Sequence, residues 1–220
     1  MSDTRTPSQL VIQPQSGKPL PSGLNHPTST AIYEMRTLRT DAEREEAAAL
    51  VQDRQRWLTL QGLPVPARSD IPAQFRAAAM PAGLFEDGRL LACVIPERDP
   101  GLGGGKGSCL FLGCVHTLPD QPDDITRLIT LWASDFAARQ GLPVVRAEVQ
   151  ARDTSGPGRI AVLLHRLTDM GWDIRGFDTG REGERVARLE LAAERRAGLS
   201  ALIDCRVHAP ASAPGEGSRS

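Results

Sequence analysis

The chain has 220 residues and a formal net charge of -1; 40% of the residues are apolar, 24% charged and 4% aromatic, the proportions of one or at most two globular domains. A near-neutral balance lacks the broad basic face that phosphate neutralisation requires, so neither nucleic acid nor an anionic membrane is an expected partner. No run approaches the roughly 18 to 20 apolar residues of a membrane helix, and no apolar segment behind a basic start resembles a signal peptide. A soluble, cytoplasmic protein is expected, and the four cysteines, with no CxxC pair, are expected to be reduced and mostly buried.

Residues 1–29 are rich in Ser, Thr, Pro, Gln and Gly and show almost no apolar periodicity, which predicts a disordered tail. Residues 30–193 are expected to form the folded unit. Residues 194–220 are read as a short helix, around Glu194 to Cys205, followed by a flexible end. On this reading residues 28 to 195 should fold alone.

Ile32 to Leu38 alternates and predicts a strand. Thr40 and Glu43 then form a capping-box pattern that opens a helix running to about Leu60, stopped by Gly62 and Pro64. A short helical piece follows near Ala73 to Met80. Asp87-Gly88 between two apolar runs is a strong hairpin signal, predicting one strand from Gly83 and a second to about Ile95.

After the glycine-rich Gly101 to Gly107, the apolar run Ser108 to His116 predicts a central strand buried on both faces. Ile125, Leu128, Ile129, Trp132, Ala133, Phe136 and Ala137 recur at helical spacing, bounded by Pro122 and by Gly141 and Pro143. Val144 to Val149 reads as a strand, Arg159 to Met170 as a helix stopped by Gly171, and Trp172 to Phe177 and Val186 to Leu191 as closing strands.

The resulting order, βααβββαβαββ, resembles the GNAT acyltransferase superfamily. The resemblance is carried by the strand-loop-helix Cys109 to Gln140, by Val144 to Val149, and by the helix ending Leu164 to Trp172 with its Gly and aromatic stop. It implies an α+β fold with a mixed, largely antiparallel sheet flanked by helices, and acetyl-CoA as acyl donor. Acetyl transfer to a small-molecule or peptide amine is implied with it; whether the chain forms a homodimer is left open. The implied cofactor contacts are Val115, His116, Thr117, Gln121, Asp124, Ile125, Thr126 and Arg127.

This sequence departs from that pattern in two places. The family's Q/R-x-x-G-x-G/A pyrophosphate loop falls on Gln121 to Thr126, where Asp124 and Thr126 stand at the two small-residue positions and Pro122 supplies no amide. The family's Tyr acid falls on Leu167, and the chain's only tyrosine is Tyr33. These departures keep a second hypothesis alive, a catalytically inactive ligand-binding or protein-interaction module on the same fold.

Other constellations have plainer readings. Gly101 to Ser108 fails the P-loop pattern because a strand, not a helix, follows. Cys114 and His116 share a strand face, but no second pair completes a metal site. If the donor binds, His116 lies near its thioester and, with a near-neutral pKa, would suit a general base. His165 is expected to face solvent, Glu148 to form an ion pair or line a cleft, and Trp132 to be core; Trp57 and Trp172 stay open.

Overall fold

A computed structural model describes residues 32–61, 70–98, 108–119, 123–151, 157–180 and 183–207. The expected tail 1–29, the Gly101 to Gly107 loop, Gln121, Pro122 and residues 208–220 lie outside the described residues.

The elements run β1 (Tyr33–Thr37), α1 (Asp41–Leu60), α2 (Ile71–Ala77), β2 (Ala82–Glu86), β3 (Arg89–Arg98) and β4 (Leu110–Thr117). They continue α3 (Asp123–Arg139), β5 (Val144–Gln150), α4 (Pro157–Asp169), β6 (Asp173–Thr179), β7 (Arg185–Ala192) and β8 (Ile203–Arg206). The strands form one sheet in the order β6-β7-β5-β4-β3-β2-β1-β8. Among the described strands only β4–β5 and β1–β8 are parallel, which gives the mixed, largely antiparallel α+β architecture.

Local chemistry explains the boundaries. Thr40 Oγ1 accepts from the Glu43 amide at 3.2 Å while Glu43 Oε2 accepts from the Thr40 amide at 3.0 Å, so the capping box opens α1. Asp87 and Gly88 both take positive φ, 49° and 79°, as a primed two-residue turn between β2 and β3 requires. Asp70 caps the Ala73 amide, which starts α2 earlier than the apolar pattern predicts. At the ends of α3 and α4 the amides of Leu142 and Trp172 reach back five residues to Ala137 and Leu167, with Gly141 and Gly171 left-handed between them.

The sheet separates two helical layers. On one face Cys93 and Ile95 of β3 pack with Leu50 and Val51 of α1 and with Ile71 and Phe75 of α2. On the other, Ala92 and Val94 join Ile129, Trp132 and Phe136 of α3 and Leu164 and Leu167 of α4. Trp132 is core, stacked on Phe136 with ring centroids 5.2 Å apart.

The segment after residue 193 differs from the expected helix. It makes a single 3-10 turn, Leu199–Ala201, and then β8, which pairs in parallel with β1. Ile203, Cys205 and Val207 recur at a spacing of two, a strand period, and Ile203 and Val207 enter the α3-side core with Leu199. The Arg196 amide anchors the approach on the buried Asp135 carboxylate at 2.8 Å.

Candidate active site

The central strands part company midway. β5 pairs with β4 only at Leu110–Val145, Phe111–Arg146 and Leu112–Ala147; beyond that, Glu148 to Gln150 pair with β7 alone. In the same stretch β4 spends three residues where β3 spends two, since Gly113 faces Ile95 and His116 faces Cys93. Cys114 carries the bulge at φ 52°, a left-handed backbone for a non-glycine residue. The expectation that the whole strand is buried on both faces therefore holds for Leu110 to Leu112 and fails beyond, where Val115 is 40% exposed.

A cavity of about 890 Å³ fills the gap and is lined from both sides of the sheet. From the α3 and α4 side come Thr126, Ile129, Thr130, Leu163, Leu167, Trp172 and Leu189. From the α1 and α2 side come Arg54, Gln74, Glu97, His116, Glu148 and Glu184. One side is mostly apolar and the other carries the titratable groups. The Trp172 indole is fixed by donating from Nε1 to Thr130 Oγ1 at 3.2 Å, and Cys114 donates from its thiol to Gln74 Oε1 at 3.0 Å.

His116 faces the α1 side of the cavity, across the ladder from Cys93. Burial, with Arg54 adding repulsion, lowers its pKa to about 4, so the near-neutral value expected from the sequence is corrected and the imidazole is neutral at pH 7. Thr117 faces Ala92, on the α3 side, and Val115 lies two residues back. Thr126 reaches the cavity, whereas Ile125 is buried in the core and does not line it. Asp124 and Arg127 are exposed on the first turns of α3, outside the cavity lining, and Gln121 falls outside the described residues.

The start of α3 holds a group that periodicity did not reveal. Arg166, projecting from α4, donates to Asp123 Oδ1 at 3.0 Å, which brings a guanidinium to the helix N-terminus. Glu148 fulfils both readings given to it, with Arg188 Nε at 3.7 Å and a place on the cavity wall. His165 is exposed beside Asp169, and Trp57 is half-buried under the Arg54 guanidinium. Tyr33 does not line the cavity; burial and the neighbouring Glu86 raise its phenol pKa. None of the four cysteines is in a disulfide; Cys93 and Cys109 are buried, and Cys114 and Cys205 are half-buried.

An N-acetyltransferase from Staphylococcus aureus Mu50 matches with a TM-score of 0.51 at 13% identity, over 74% of this chain and 99% of that one. The chain has the GNAT fold. A GNAT acetyltransferase from Listeria monocytogenes 4b F2365 matches at a TM-score of 0.52 and 14% identity, over 72% of this chain and 95% of that one. The ribosomal-protein-S18-alanine N-acetyltransferase from Escherichia coli matches at 0.50 and 14%, over 75% and 96%. No protein-family model and no curated protein matches the sequence.

Within this GNAT fold the residues present suit an acyl-CoA thioester and its arm better than its phosphates. The opened edge of β4 and the apolar wall of Ile129, Leu167 and Trp172 fit an extended arm. At the α3 start, Asp123 and Asp124 already complement the helix dipole and repel an anion, so Arg166 and Arg127 are the cations there to offset them. Among the described residues no helix is long and apolar enough to cross a membrane.

Proposed function

We propose that the chain is an N-acetyltransferase that uses acetyl-CoA to acetylate the nitrogen of a small-molecule or peptide amine in the cytoplasm. The reading is carried by the cavity that crosses the sheet where β4 leaves β5, because it lets donor and acceptor approach one point from opposite faces. Solved structures sharing the fold are named as N-acetyltransferases, which supports the same assignment.

Bound acetyl-CoA supplies an activated thioester carbonyl. Val115, Thr117 and Thr126, which line the cavity, would hold the arm on the α3 side, and Arg127 and Arg166 would meet the phosphates at the α3 start. Direct attack needs no covalent nucleophile; it needs the two reactants held within contact distance, which is worth up to roughly 7 to 11 kcal/mol of barrier in well-oriented intramolecular cases. His116, neutral in its buried position, orients the amine by accepting one of its N–H groups and takes up a proton only weakly. Leu167 stands where the family's tyrosine would be and has no proton to give, so the proton that the attacking amine loses and the proton that the departing thiolate gains would both be exchanged with solvent.

Titrating acetyl-CoA into the full chain by calorimetry, then following thiol release with a panel of amines, tests the proposal. Saturable binding and amine-dependent thiol release are expected. Absence of acetyl-CoA binding would overturn the reading and leave the interaction module of the sequence analysis in its place.

A further inference from the structure

The bulge of β4 lies where the cavity opens. β4 pairs with β5 for the last time at Leu112, and two residues later Cys114 takes the left-handed backbone, φ 52°. Cys114 and Val115 there stand opposite the single residue Val94 of β3, because Gly113 faces Ile95 and His116 faces Cys93. A bulge bends its strand and raises its twist, so this one turns β4 away from β5 at the point where the gap begins. Left-handed backbone is unfavourable for a residue with a Cβ and persists only where its surroundings over-determine it. The ladder to β3 supplies part of that restraint. A further restraint comes from α2, since the Cys114 thiol donates to Gln74 Oε1 at 3.0 Å and both residues line the cavity. α2 is a firm backing for this contact: its Ile71 and Phe75 are buried in the core with Cys93 and Ile95, and Asp70 caps its first turn. Arg44 of α1 secures its other end, donating to the carbonyls of Arg76 and Ala78 at 2.7 and 3.0 Å.

Resting on the acetyl-transfer reading above, we infer that Gln74 is a positioning residue, which by accepting the Cys114 thiol holds the β4 bulge and with it the places of Val115 and His116 on the cavity wall. Val115 and His116 are the next two residues of β4, so their side chains go where the bulge sends them. If the bulge relaxed to regular strand, β4 would slip by one residue along β3. Every side chain beyond position 114 would then change faces, because the side-chain period of a strand is two. His116 would leave the α1 side, where the acceptor enters, and Thr117 would leave the α3 side, where the arm lies. The effect of Gln74 on the reaction runs through Cys114. A glycine at position 114 takes φ 52° without a Cβ penalty and has no need of a held thiol, which separates this role from general support of the fold.

Gln74→Met keeps the length of the side chain and removes the acceptor oxygen. The full chain carrying it is assayed by thiol release with acetyl-CoA and the fastest amine of the panel above. The variant should lose about tenfold or more in kcat while the KM for acetyl-CoA stays within about threefold, because the donor's phosphates meet α3 and not β4. In a Cys114→Gly background the same Gln74→Met change should cost less than about twofold in kcat, a repair that general loosening of the fold would not allow. A smaller loss in Gln74→Met alone, or an equal loss in both backgrounds, would overturn the positioning role and leave acetyl transfer standing. Should Gln74→Met alone fail to fold, the double variant decides: a folded, active protein supports the hold on the bulge, and any other result overturns it. If the wild type binds no acetyl-CoA or releases no thiol, the transfer reading is what fails, and nuclear magnetic resonance titration of the His116 ring tests the hold by itself. Its midpoint, about 4 in the wild type, should rise toward 6.5 in Gln74→Met and return in the double variant, and a midpoint that Gln74→Met leaves in place overturns the hold.

Discussion

The guanidinium of Arg166, on α4, donates to the carboxylate of Asp123, the first residue of α3, across 3.0 Å. Two elements joined through β5 thereby meet at the helix end that the fold would present to an anion. Both side chains are more than half exposed, so the pair adds little to stability, in the range of 0 to about 1 kcal/mol. Its consequence is for binding: Asp123 occupies the cation that a phosphate would need.

Asp123→Asn is therefore expected to tighten acetyl-CoA, because it removes a repelling charge and releases Arg166 together. Arg166→Ala should weaken the same binding, and both proteins should melt within a few degrees of wild type. Calorimetry with acetyl-CoA checks the pair, and a tenfold change corresponds to about 1.4 kcal/mol. Asp124→Gly tests loop geometry separately and should also tighten binding, since it restores a small residue at the helix start.

Trp132 lies in the centre of the α3 row, 1% exposed, stacked on Phe136 and donating from Nε1 to Cys205 Sγ at 3.3 Å. Trp132→Ala should cost roughly 3 to 5 kcal/mol through lost burial and the cavity left behind. Denaturant unfolding measures it, and a loss under about 1 kcal/mol would contradict the packing described.

Much of the fold is legible because its signals are local. The Thr40 and Glu43 cap, the Asp87-Gly88 turn and the Gly141 and Gly171 stops each depend on residues a few positions apart, and each appears where the pattern placed it. The site is less legible because it depends on where two strands separate. Nothing within Leu110 to Thr117 announces that β5 leaves after Leu112, and the apolar run reads as uniformly buried. Arg166 and Glu97 come to the site from elements distant in sequence, so no spacing rule finds them. For β8 the period-two row Ile203, Cys205 and Val207 was available, but it follows a helix-like stretch that Gly198 interrupts.

That strand changes what a shortened chain should do. Trimming to residues 28 to 195 removes Leu199, Ile203 and Val207, all buried against α3 and β1, together with the β1–β8 ladder. Burial of such side chains is worth roughly 1.5 to 3 kcal/mol each, a sum comparable with the whole stability of a domain. The trimmed chain should melt far below the full one, or fail to fold, whereas trimming to 28 to 207 keeps β8. A trimmed 28 to 195 chain with an unchanged melting temperature would show that β8 contributes nothing.

His116 gives the fold a defined acid sensitivity. Its pKa is about 4 in the folded protein against 6.5 for an unperturbed imidazole, so between those values the unfolded chain binds the proton more readily. The stability that His116 contributes by remaining neutral is complete above pH 6.5 and is lost as pH falls through the window from 6.5 to 4. Below pH 4 both states are protonated and the loss has levelled off. At about 1.4 kcal/mol per pH unit, the full swing is roughly 3 kcal/mol. His116→Gln, which cannot titrate, should therefore flatten the dependence of melting temperature on pH between 6.5 and 4 without changing it between 7 and 8. The cause of the shift can be tested as well: Arg54→Gln removes the repelling charge beside the ring and should raise the His116 pKa part of the way, leaving the larger share due to burial. Nuclear magnetic resonance titration of the His116 ring protons in the two proteins reads this directly. A His116 titration near 6.5 in the wild type would mean that the ring is solvated, and that it does not sit on the wall of the cavity at the β4 bulge.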